Sequence, residues 1–142
     1  MLAFSSVAEV LGLPSKAVPQ SPIGLITQIE QGLPIGTVER MSNLVAPSDT
    51  QFKYRLVPRA TYERRKSAKI LSPEEGTRLA RIARVWSLAL EVWRDPNEAR
   101  DFLFHAHPMI EDRRPIDVVI QSEFGAEMVL DILSALKYGS AA

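Results

Sequence analysis

Between Pro34 and Val45 the apolar side chains Ile35, Val38, Met41, Leu44 and Val45 recur at three- or four-residue spacing, which puts them on one face of a helix. Ala46-Pro47 closes that stretch. Ser48, with Gln51 three residues on, predicts the cap of a next helix with Phe52 and Leu56 on one side. Pro58 breaks this helix and opens another, through about Lys66, because proline is tolerated in a first turn. Further on, Ser72-Pro73-Glu74-Glu75 predicts a long helix reaching Trp93. Leu79, Ile82, Ala83, Trp86, Leu90 and Trp93 form one apolar stripe on it, and Val85, Leu88 and Val92 a second. A helix apolar on two sides is buried on two sides, either at the centre of a bundle or in a dimer interface.

The ends of the chain follow the same grammar. Ser6 and Glu9 have capping-box spacing, and Gly12 and Pro14 stop the short helix Val7–Leu11. Three prolines between Pro14 and Pro22 predict an irregular linker. The stretch from Ile23 to Gln31 reads as a helix or as a β-branched strand, ended by Gly32. Asp95-Pro96 with Glu98 starts another helix, carrying Phe102 and Leu103 inward. Arg113-Arg114-Pro115-Ile116-Asp117 opens a turn or short helix through Ile120. Ser122 caps a last helix, with Val129, Ile132, Leu133 and Leu136 as its buried stripe and Gly139 as its stop. The expected fold is all-α. Its expected parts are residues 1–22 as helix and linker, 23–69 as a helix-turn-helix region, and 70–142 as a C-terminal helical domain.

Charge changes the picture. The 142 residues have no net charge, yet seven basic side chains stand against Glu63 alone between Lys53 and Lys69. Both flanking regions are acidic. Such an island points to a polyanionic partner for the middle of the chain only. Two short helices across a tight turn, the second basic, form a helix-turn-helix pattern that leaves the second helix able to enter a major groove. Arg64 and Arg65 are then candidates for guanine edges or phosphates, and Thr61 and Tyr62 for base methyls or backbone. Lys53, Lys66 and Lys69 are candidate phosphate contacts, and Arg59 is a further DNA-binding candidate. The plainer alternative is a solvated cationic face. Arg78, Arg81 and Arg84 read as solvated, with Glu74 four residues before Arg78.

Other chemistry is sparse. With no cysteine there is no disulfide framework and no thiolate metal site, which fits a reducing cytoplasm. His105 and His107 point to different sides and lack carboxylates at metal spacing. Hydrolase, phosphate-loop and zinc-protease motifs are missing, so neither catalysis nor a cofactor is expected. Met1 to Leu13 lacks the basic region of a signal peptide, and no apolar run approaches the about 18–20 residues of a membrane span.

Four segments in order carry a resemblance: VPRATYERR, with Thr61, Arg64 and Arg65; LSPEEGTRLARIARVWSLALEVW; RPIDV, Arg114 to Val118; and FGAEMVLDILSALKYG, through Tyr138 and Gly139. With these, the chain resembles the Xre/MbcA/ParS group of antitoxins from about Gly32 to Gly139. It departs from that group in having Pro58 where a small N-capping residue is usual. It also has Phe102-Leu103 and MIEDRR in place of a tryptophan-leucine pair and a glycine-rich turn.

The resemblance implies an N-terminal DNA-binding region that represses the chain's own operon. It also implies a C-terminal domain that binds a RES-domain toxin, which consumes NAD or uses it to modify proteins. It makes Tyr138, Gly139, Ser140 and the Ala142 carboxylate candidates for blocking the toxin's active site, where a carboxylate can pair with an arginine. A homodimer or a toxin–antitoxin hetero-oligomer is expected, with operator DNA as second partner and no membrane. The alternative is a helix-turn-helix regulator whose C-terminal domain only dimerises.

Overall fold

The computed structural model describes residues 4–13 and 21–139. Among them are nine α-helices: α1 (Phe4–Leu11), α2 (Pro22–Gln31), α3 (Gly36–Val45), α4 (Lys53–Leu56), α5 (Arg59–Ala68), α6 (Pro73–Trp93), α7 (Pro96–Phe104), α8 (Pro115–Gln121) and α9 (Glu123–Tyr138). A 3-10 turn, Pro108–Ile110, precedes α8. The fold is all-α, as the pattern predicts. Extended pairing among the described residues is confined to two isolated bridges, Pro34–Ile70 and His107–Arg113.

α6 is the axis. The Ser72 side chain accepts from the Glu75 backbone N–H and the Glu75 carboxylate accepts from the Ser72 N–H, a complete capping box with Pro73 behind it. The helix packs against α1, α2, α3 and α4, and against α7, α8 and α9. Its two apolar stripes therefore meet other helices of the same chain. Val85 and Leu88, candidates for a dimer surface, are buried here, as are Ile82 and Trp86 on the other stripe. Burying a side chain as large as Trp86 contributes several kcal/mol, since truncating a buried tryptophan costs about 3–5 kcal/mol. The core is continuous from Val7 to Leu133.

The arginines of α6 are not the solvated set expected. Arg78 donates to the Leu56 carbonyl at 2.6 Å. Arg81 donates to the Val119 and Ile120 carbonyls at 2.9 and 2.8 Å. Arg84 reaches Glu123 and Glu127 at 3.0 and 2.9 Å. Sequence spacing shows the helix partner Glu74, which lies a loose 3.8 Å from Arg78; it does not show carbonyls that only the fold brings near. Arg81 in particular satisfies the orphan carbonyls that end α8.

Several local expectations change. Ser6 lies inside α1 and cannot be its cap. Gly12 ends α1 with φ +74°, and Arg40 satisfies the carbonyls of Val10 and Glu9 at 2.9 and 3.3 Å. Most of the expected proline linker lies outside the described residues, but Ser21-Pro22 opens α2 as N-cap and N1. That settles the segment from Ile23 as helix. Ser48 caps nothing: α4 starts only at Lys53, and Asp49 instead accepts from the Gln51 N–H at 2.9 Å. Leu136, expected in the core, is 52% exposed, while Val129, Ile132 and Leu133 are buried.

Ser122 serves two helices. It ends α8, and its hydroxyl accepts from the Gly125 N–H at 2.9 Å to start α9. Gly125 lies directly on the Val118 carbonyl, where a Cβ would collide with backbone. This contact sets how closely α8 and α9 approach.

A candidate nucleic-acid interface and a candidate protein-docking face

α5 is a polar helix that buries one residue, Tyr62. Val57 is extended and Pro58 takes φ −52° and ψ 147°, so α5 leaves α4 after a two-residue turn. Pro58 offers no side-chain oxygen to the first-turn N–H groups, and the first turn holds no acid. Those groups remain turned toward any anion that approaches the helix start. At the other end Lys69 adopts the left-handed conformation and its N–H returns to the Arg65 carbonyl at 2.7 Å.

Tyr62 meets Tyr54 edge-on, 6.0 Å between ring centres. Cations surround this pair. The Arg59 guanidinium lies 4.0 Å above the Tyr54 ring and donates to Gln51 at 2.7 Å. The Lys53 ammonium is 5.3 Å from both rings, and Lys66 is 5.4 Å from Tyr62. Lys53 also pairs with Glu39 at 2.8 Å. The hydrogen bond between them holds the Lys53 ammonium above its ordinary pKa and the Glu39 carboxyl below its own. Burial, with Glu39 nearby, pushes the Tyr62 phenol up. Tyr62 is thus a neutral packing group under a cationic surface.

The candidate DNA residues divide by environment. Arg59, Arg64 and Lys66 are exposed, and Thr61 is half-buried. Arg64 makes a long 3.5 Å contact with the Thr61 hydroxyl, and Lys66 pairs with Glu63 at 3.1 Å. Lys53 is engaged by Glu39 and Tyr62 is inside. Arg65 bonds Glu75 through Nε at 3.0 Å.

On α9 part of the outward surface is apolar. Phe124 is 77% exposed and Tyr138 67%, with Met128 also exposed. At 3.6 residues per turn Phe124, Met128, Ala135 and Tyr138 fall within about 80° of the helix circumference. Asp131 interrupts the strip, and Glu123 and Glu127 flank it. The inward stripe of Val129 and Leu133 dominates the sequence pattern, but Phe124 and Met128 lie four apart on the opposite side and mark this outward strip. Tyr138 is the last helical residue. Gly139 follows in the left-handed region, and Ser140 and Ala142 lie outside the described residues. Lys137 pairs with Glu91 at 2.8 Å, fixing the end of α9 to α6.

Two family models match the chain. The antitoxin Xre-like helix-turn-helix domain covers residues 24–84, and the antitoxin Xre/MbcA/ParS C-terminal toxin-binding domain covers 88–139. The chain belongs to the Xre/MbcA/ParS antitoxins. A search of curated proteins finds no match.

The cationic cluster on α5 falls in the antitoxin's helix-turn-helix match, and the exposed face of α9 in its toxin-binding match. The two matches meet within α6, so one helix supports both surfaces. The RPIDV segment is the antitoxin's internal tie. Arg114 grips Asp117 through Nε and Nη2 at 2.9 and 3.0 Å, and Asp117 accepts from Arg55 of α4 at 2.8 Å. His107, far from any such role, accepts the Met109 N–H at 3.2 Å to start the 3-10 turn. No helix among the described residues is long and apolar enough to cross a membrane.

Proposed function

We propose that this antitoxin neutralises a RES-domain, NAD-consuming toxin by laying the outer face of α9 on it and directing Tyr138, Gly139, Ser140 and Ala142 toward its active site. The observation that carries this reading is the exposed Phe124–Met128–Tyr138 strip inside the toxin-binding domain, running to the last described residues. Three large apolar side chains on one solvent-facing strip favour a protein partner. The acidic flank of Glu123, Glu127 and Asp131 suits a basic rim, as expected of a pocket that holds the phosphates of NAD. The RES class itself rests on the family resemblance.

The same antitoxin, on this reading, represses its own operon in the cytoplasm through α5. Arg59 and Lys53 hold phosphates near the start of α5 and Lys66 holds one near its end, while Arg64 and Thr61 face base edges. One short helix buries little surface, so DNA is held by a homodimer or a toxin–antitoxin assembly that presents two such helices. Val85 and Leu88 of α6 are buried in the single chain, so that part of the helix is not free to pair with a second copy.

The test is growth of cells expressing the neighbouring open reading frame with and without this chain. Growth arrest by the neighbour alone, relief by the full antitoxin and no relief after deletion of residues 138–142 is the expected pattern. Relief by the deleted form removes the tail from the mechanism, and a harmless neighbour removes the toxin.

A further inference from the structure

α5 has little to hold it. Ten residues bury a single side chain, so the orientation of the helix depends on specific polar ties. Its far end is fixed by backbone: Ile35 N–H bonds the Lys69 carbonyl at 3.1 Å and Leu71 N–H the Leu33 carbonyl at 2.8 Å. On its flank the tie is Arg65. Two donors of the guanidinium face Glu75, Nε to Oε1 at 3.0 Å and Nη2 to Oε2 at 3.5 Å. The Glu75 side chain is 9% exposed, and its Oε1 also accepts the Ser72 N–H that closes the α6 capping box, at 2.8 Å.

We infer that Arg65 is a positioning residue, which locks the DNA-reading helix α5 to the start of α6 and so aims Arg64 and Thr61. This rests on α5 being the DNA helix. Arg65 and Arg64 are adjacent in sequence, but helical geometry turns them about 100° apart. Arg64 is exposed. Arg65 reaching a phosphate would withdraw a cation from a nearly buried carboxylate, whereas Arg64 leaves nothing behind. A planar fork across two carboxylate oxygens fixes an angle as well as a distance, which a lysine would not.

The experiment measures binding to two duplexes, the DNA immediately upstream of the chain's own coding sequence and a scrambled duplex of equal length, across a range of salt. Arg65→Ala lowers the preference for the upstream duplex by about tenfold, the scale of one poorly placed base contact. It leaves the slope of log K against log salt unchanged. A phosphate contact at Arg65 would instead flatten that slope by about 1 and leave the preference intact. Glu75→Gln is the second variant. Glutamine still serves the capping box, so α6 keeps its start. The glutamine oxygen can still take Arg65 Nε, but its amide NH2 then faces Nη2, so a positioning role predicts a loss of preference in the same direction as Arg65→Ala and smaller. A DNA-contacting Arg65, released from its acid, would bind both duplexes more tightly with a steeper slope. If Arg65→Ala fails to fold, Glu75→Gln alone decides. Unchanged preference in Glu75→Gln overturns the inference while leaving the DNA helix in place. If the unaltered chain shows no preference for the upstream duplex, the reading of α5 fails and the inference with it.

Discussion

Arg55 in the helix-turn-helix region and Asp117 in the toxin-binding domain form an ion pair at 2.8 Å, although 62 residues separate them. Around the pair, Arg55 lies 5.7 Å over Phe52, Phe52 meets Phe104 edge-on at 5.9 Å, and Arg114 lies 5.5 Å over Phe104. The two matched domains of the antitoxin are therefore joined by a polar-aromatic knot as well as by α6.

Asp117→Asn tests the knot. Burial acts to raise the Asp117 carboxyl, but hydrogen bonds from Arg114 and Arg55 outweigh it and hold the group below its ordinary value. A carboxyl depressed in the fold contributes stability above its unfolded pKa of about 3.9, and that stability is lost as pH falls through the folded value. The pair is partly exposed, so the expected loss for Asp117→Asn at neutral pH is about 1 kcal/mol in urea denaturation. The gap from the unaltered chain should close below about pH 4.

Glycine substitutions separate close packing from open space. Gly125→Ala drives a methyl into the Val118 carbonyl and should cost about 3 kcal/mol, with a clear fall in Tm. Gly36→Ala, at the first position of α3 with nothing within 4 Å of the new methyl, should be neutral or raise stability by about 0.5–1 kcal/mol.

Arg81→Ala removes two hydrogen bonds to the last turn of α8. Burial holds this guanidinium below its ordinary pKa, though still charged at any working pH. The expected cost is about 2 kcal/mol, and Arg81→Lys should recover only part because an ammonium lacks the fork that spans both carbonyls. Full recovery by lysine in a denaturation series would contradict the assignment.

Arg64→Ala and Lys66→Ala should weaken DNA binding in different ways. Loss of Arg64 should cost about 1–3 kcal/mol on the upstream duplex and relax its preference, whereas loss of Lys66 should weaken both duplexes alike and flatten the salt slope by about 1. Fluorescence anisotropy at several salt concentrations separates them.

The helices were legible where caps and periodicity agree. Ser72 with Glu75 marks the start of α6 without ambiguity, and the doubled stripe on α6 announces a helix buried on both sides. Ser48 and Ser6 show the limit of that grammar, since a capping residue at the right spacing works only if the backbone after it is helical. The arginines of α6 show another limit. Arg81 reads as solvated because its partners are carbonyls 38 and 39 residues away, which no side-chain pattern records. On α5 the run of cations was plain, but not that Tyr62 would be its anchor or that Arg65 would turn to Glu75. The outward strip of α9 was visible in the spacing of Phe124, Met128 and Tyr138. It was hidden by the stronger inward pattern on the same helix.

The most direct test is NAD consumption by the purified product of the neighbouring gene, measured with equimolar antitoxin. The unaltered chain should stop NAD loss, and the double variant Phe124→Asp, Met128→Asp, with its helix content checked by circular dichroism, should leave it running. Equal inhibition by both forms, or none by the unaltered chain, would contradict neutralisation through the face of α9.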